Sequence, residues 1–119
     1  MDLSGEWLSR YTYHDGVSSE HLVTFELQDV VWSGHGVDGA GSILVLRLEH
    51  DAENGVLTGT WREQTSPDGE YGGTVFHGAV QFILAATLDA ADGKWVGFNS
   101  SRERVNAGDW SLHRRDNAP

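Results

Sequence analysis

The chain has 119 residues, with eighteen Asp and Glu against eight Lys and Arg (formal net charge −10), fifteen glycines, five tryptophans and no cysteine. That length makes one domain, residues 1–119, able to bury a core without covalent staples. The missing cysteine excludes a disulfide framework, a thiolate nucleophile and a thiolate zinc site, and the acidic balance repels polyanions, so no nucleic-acid partner is expected.

Glycine and tryptophan are abundant, only two prolines occur, and no i, i+3, i+4, i+7 apolar pattern persists, which predicts an all-β chain with almost no helix. Eight strands are expected between turn signals. The first, 5–14, opens on Gly5-Glu6-Trp7 and ends at Asp15-Gly16. The second, 20–28, alternates Leu22, Thr24 and Glu26 with Val23, Phe25 and Leu27. The third, 30–35, runs into a glycine-rich turn from Gly36 to Gly41, and the fourth, 42–50, alternates around Leu44, Leu46 and Leu48. Asn54-Gly55 reads as a tight hairpin with positive φ at both residues. The fifth strand is 56–64 and the sixth 73–88, separated by Ser66-Pro67-Asp68-Gly69; Asp92-Gly93 then turns the chain into the seventh, 94–100, and the eighth is 107–114.

Short connections between successive strands favour a single eight-stranded antiparallel up-and-down barrel, which removes exposed edges. A flattened sandwich of the same strands is the alternative. A barrel of eight strands has room for side chains plus one small ligand. The longest apolar run, Phe82 to Ala86, is strand-sized, so no membrane partner is expected. No basic-then-apolar leader follows Met1, and a cytoplasmic location is expected. Small barrels pair through a strand face, which leaves a homodimer open.

Side chains on a strand alternate faces. If Trp7 points inward, Ser9, Tyr11 and Tyr13 climb the same wall. Trp61 and Glu63 share a face on the fifth strand, His77 and Gln81 on the sixth, Trp95 and Asn99 on the seventh. These nine residues, Ser9 to Asn99, are the candidate ligand wall, with aromatic rings for shape and polar groups for orientation. Competing readings stand beside them. Tyr11 and Tyr13 form an outer ladder if the parity is inverted. Glu63 pairs on the surface with Arg62 or Arg10, or is buried and then requires partners. His77 is a core histidine or a ligand contact. Parity slips of one residue exchange the two faces of a strand.

Six histidines are spread over six segments without ligand spacing, so no metal site is expected. Gly34-x-Gly36-x-x-Gly39 lacks the strand–helix setting of a dinucleotide fingerprint and reads as a turn. No cofactor is implied. For catalysis, the candidates are Glu63 and His77 as acid and base, with Tyr11 as donor to a developing oxyanion.

Two resemblances follow from these residues. Leu3-Ser4-Gly5-Glu6-Trp7, the eight strands and Gly108-Asp109-Trp110 resemble the calycin group of lipocalins and avidins, which implies Trp7 as the plug of the barrel floor. No Asn or Asp follows Trp7 by two positions, so biotin is not implied. The runs LSGEWLSRYTY, GTWREQTSPDGEYGG, FHGAVQ, GKWVGF and VNAGDW together resemble a small domain appended to helix-turn-helix regulators of actinomycete-type bacteria. That likeness implies sensing or binding in a bacterial cytoplasm, here without a DNA-binding part. The expectation is a small-molecule-binding barrel holding a compact, partly apolar ligand. The alternative is a cyclase or isomerase of a bacterial natural-product pathway using the same cavity, by analogy of fold. A third reading is a protein-interaction module with a filled interior.

Overall fold

The alternation read from the sequence becomes eight strands in the computed structural model, which describes residues 2–13, 16–98 and 103–115. The strands are β1 (Gly5–Thr12), β2 (Ser18–Gln28), β3 (Val31–Val37), β4 (Ile43–Asp51), β5 (Val56–Gln64), β6 (Val75–Leu84), β7 (Ala90–Phe98) and β8 (Val105–Arg114). Each pairs antiparallel with the next. β8 then returns to β1, with Tyr11 opposite Trp110 and Trp7 opposite Arg114, so the sheet closes into an up-and-down barrel. No helix among the described residues is long and apolar enough to cross a membrane.

The inner face follows the period of two. Trp7, Ser9 and Tyr11 of β1, His21, Val23 and Phe25 of β2, and Leu44, Leu46 and Leu48 of β4 are all buried. Leu57, Trp61 and Glu63 of β5, Trp95 of β7, and Trp110 and Leu112 of β8 complete the ring. On β6 the buried set is Val80, Phe82 and Leu84. The face proposed for this strand from sequence is therefore inverted, and His77 and Gln81 stand outside the barrel. Register decides this: Gly78 lies opposite Trp61, an inward residue, so its neighbour His77 must point out.

Two turn assignments also change. Asn54-Gly55 belongs to a four-residue loop, because the β4–β5 ladder ends at Asp51 opposite Val56. Only Gly55 is left-handed, at φ 68°, while the Asp51 carboxylate accepts from the backbone N and side-chain Nδ2 of Asn54 at 3.1 and 2.8 Å. Asp92-Gly93 is strand interior. The turn comes earlier, at 85–89, with Leu88 at φ 62°. Gly93 serves a close strand approach, since a Cβ there would lie 1.9 Å from the Gln81 carbonyl oxygen.

One end of the barrel is solid. Leu3, Trp7, Phe25, Leu48, Leu57, Phe82 and Leu112 are each at most 2% exposed. Trp7 meets Phe25 edge-on at 6.2 Å and donates its indole N–H to the Leu3 carbonyl at 2.9 Å. Arg114 lies 4.5 Å over the Trp7 ring. Its guanidinium donates to the carbonyls of Asp2, Ser4 and Leu88 at 2.7, 2.9 and 3.2 Å, tying both chain ends to the β6–β7 turn. Trp7 is thus the floor plug that the Gly5-Glu6-Trp7 opening led us to expect.

Candidate functional site

The opposite end is hollow. A cavity of about 500 Å³ is lined by Tyr11 of β1 and Tyr13 just beyond its end, Trp61 and Glu63 of β5, Trp95 of β7, and Thr65, Tyr71 and Phe76 of the β5–β6 connection and β6. Glu103, Arg104 and Asn106 border it where β8 begins. The 65–74 connection that forms one lip is held by its own backbone: Gly69 and Gly73 donate to Ser66 O at 3.1 and 3.2 Å, and Thr65 N to Thr74 O at 3.0 Å. Tyr71 packs edge-on against Phe76 at 5.4 Å within it.

Both wall tryptophans are seated on glycines. A Cβ at Gly97 would meet Trp61 Cζ2 at 2.4 Å, and one at Gly108 would meet Trp95 Nε1 at 2.7 Å. The indole N–H groups are spent on backbone carbonyls, Trp61 to Val96 at 3.1 Å and Trp95 to Thr12 at 3.0 Å. The rings meet edge to face at 5.4 Å. Held against the wall in this way, they offer the cavity aromatic surface without a free donor.

Below them lies a buried polar chain. The Glu63 carboxylate, 3% exposed, accepts from the Tyr11 hydroxyl and from Ser42 Oγ at 2.5 Å. Ser42 Oγ is 3.0 Å from His21 Nε2, which is 3.6 Å from the carboxylate itself. Because the serine proton goes to Glu63, Ser42 Oγ accepts from His21 Nε2–H; Nδ1 then carries the lone pair, and it has no partner among the described residues. The imidazole stacks on Tyr11 at 6.0 Å and 7°. Burial pushes the His21 pKa down, against the opposing charges of Glu63 and Asp38, so the ring is held neutral. Burial, and then the charge of Glu63, raise the Tyr11 pKa far above its usual range, which keeps the phenol a donor. Tyr13, half-buried with its hydroxyl 3.5 Å from that of Tyr11, is raised too, chiefly by burial.

Of the nine residues expected in the wall, Tyr11, Tyr13, Trp61, Glu63 and Trp95 come together at this cavity. Ser9 is inward but lies beneath it, accepting from Trp110 Nε1 at 2.8 Å. His77 packs outside against Phe98 at 5.9 Å, and Gln81 donates to Thr58 at 3.0 Å on the outer surface. Asn99 lies outside the described residues. The expected Glu63–His77 pair is therefore replaced by Glu63 and His21. His21 and Ser42 were missed, although the pattern contained them: His21 extends the Val23, Phe25 parity by one step, and Ser42 extends that of Leu44, Leu46 and Leu48. Among the described residues no group of three or more His, Asp and Glu is placed to hold a metal.

No family model matches the chain, and no curated protein matches it. Among solved structures it is similar to a redesigned β-barrel, at 15% identity and a TM-score of 0.63 over 96% of this chain and 92% of that one. At that identity the likeness speaks for the eight-stranded barrel and for nothing in its cavity.

Proposed function

We propose that this barrel binds a small molecule in the cavity at its open end. The observation that carries this reading is a cavity of about 500 Å³, walled by aromatic rings and ending on a buried carboxylate held by Tyr11 and Ser42. Pockets of that size and make-up suit a compact, partly apolar ligand oriented by a few polar groups. The same physics argues against a filled interaction module, since the inner positions of the solid end are packed while those of this end are not. A calycin-like relationship, and the sensing role implied by the likeness to regulator-appended domains, belong to this reading. So does a bacterial cytoplasmic setting.

A cyclase or isomerase working in the same cavity is a second reading. The neighbouring Tyr11 donor and Glu63 acceptor favour it, because an enclosed carboxylate beside a phenol is able to move a proton and stabilise a developing oxyanion. His77 has no part in that version.

Native mass spectrometry of freshly purified protein tests the main reading. A small-molecule adduct on the intact protein that is lost on denaturation is the expected result. Titration with the neutral probe N-phenyl-1-naphthylamine, read by its fluorescence, supplies the control. If no adduct is seen and the probe does not enter, the binding reading is wrong.

A further inference from the structure

Charge at the floor of the cavity is unbalanced. Glu63 accepts two hydroxyl donors, and among the described residues the only basic side chain within ion-pair distance is His21, at 3.6 Å. Burial holds that imidazole neutral. Among the described residues no lysine or arginine approaches the carboxylate. Among the described residues Arg104 is the cation that borders the cavity, and it stands exposed at the mouth, next in sequence to the acidic Glu103. A buried carboxylate whose donors are all neutral is costly unless a positive charge offsets it.

Above this carboxylate the walls are aromatic rings. Trp61 and Trp95, seated over Gly97 and Gly108, have their N–H groups turned into the backbone. What they offer the cavity is aromatic surface, and aromatic rings attract a cation through their faces, tryptophan the most strongly of the side chains. The whole chain adds long-range attraction for cations through its net charge of −10. A neutral ligand would use the rings and leave the carboxylate uncompensated, and an anion would be opposed by both.

The geometry points to an organic cation as the ligand: an ammonium group on a compact apolar or aromatic body, its charge at Glu63 and its body against Trp61 and Trp95. This rests on the binding reading above and adds the ligand's charge to it. The closest thing to a competing device, a cation supplied by Arg104, would need that side chain to leave the mouth and reach the floor.

Four probes matched in size separate the possibilities: phenethylammonium, benzyltrimethylammonium, neutral 2-phenylethanol and anionic 3-phenylpropanoate. Binding to the full chain is read by tryptophan fluorescence and by calorimetry, at low and moderate salt. Both cations should bind about tenfold or more tighter than the alcohol, and the anion weakest. Glu63→Gln should erase the preference for the cations while the alcohol still binds. Trp95→Leu should weaken the cations in a background that keeps the carboxylate. The comparison among probes on the unmodified protein stands even if Glu63→Gln does not fold. If the alcohol or the anion binds as well as the cations, the charge assignment is overturned while small-molecule binding survives. If none of the four binds, and N-phenyl-1-naphthylamine is also refused, both ideas fall together.

Discussion

The two ends of the barrel are built from the same eight strands and the same alternation, yet one is solid and the other hollow. At the closed end the inward positions carry Leu3, Trp7, Phe25, Leu57, Phe82 and Leu112, apolar groups of complementary size, sealed by Arg114 over Trp7. At the open end the inward positions carry Tyr11, Trp61, Glu63 and Trp95, whose polar atoms need partners. Those partners hold the side chains against the wall. The hollow follows from that tethering, since rings pinned to Val96 and Thr12 carbonyls do not collapse inward. On the proposed reading, stability is concentrated at one end and recognition at the other, a division that mutations at the two ends should expose.

The largest expected effect is at the plug. Trp7→Ala removes a side chain 1% exposed and should cost about 3–5 kcal/mol, read as a lowered denaturant midpoint, with probe affinity per folded molecule little changed. A comparable loss of affinity would mean that the ends are not separable. Next comes the open end. Tyr11→Phe leaves Glu63 with one donor fewer in a buried setting and should cost roughly 1–3 kcal/mol, together with a clear change in ligand binding. A stability loss with binding intact would place Glu63 in the scaffold and outside the site.

The third expectation concerns pH. The His21 pKa is lowered by burial from an ordinary 6.5, so below that pH the unfolded chain takes up a proton that the folded site refuses. Stability from this residue is full above about 6.5 and falls as pH drops toward the lowered folded value, by at most ~1.4 kcal/mol per pH unit. Tyr11 works in the opposite sense: its raised pKa means stability that is present below its ordinary 10.0 and is lost as pH rises beyond it. Urea titrations from pH 4 to 11 should give a dome, and His21→Gln should flatten its acid arm below about 6.5. An unchanged acid arm in that variant would assign the loss to other groups. The smallest effects belong to the outer face, where His77→Ala and Gln81→Ala should each stay within about 0.5 kcal/mol and leave probe binding untouched. Any loss of binding would restore the inward parity first read for β6.

The turns explain part of what was legible and what was not. Gly-x-Trp, the alternation around Leu44, Leu46 and Leu48, and the spacing of the strands are local features, and they led directly to a barrel with Trp7 at its floor. Asp92-Gly93 misled because a glycine demanded by close strand approach looks, in sequence, like a glycine demanded by a turn. That error lengthened the sixth strand and shifted the seventh. On β6 the alternation itself was ambiguous, because Val75, Ala79 and Ile83 make one face apolar and Phe76, Val80 and Phe82 the other.

What the sequence by itself determined is thus the all-β class, the number of strands, the plug, and five of the residues around the cavity, because period-two burial and turn chemistry act over a few residues. What only the tertiary structure decided is the inner face of β6 and the company of Glu63. Tyr11 lies on β1, His21 on β2 and Ser42 just before β4, and the separations of their contacts, 21 to 52 residues along the chain, are set by register around the closed ring. A slip of one residue in any of those ladders would turn the carboxylate's partners away, and no local pattern records that choice.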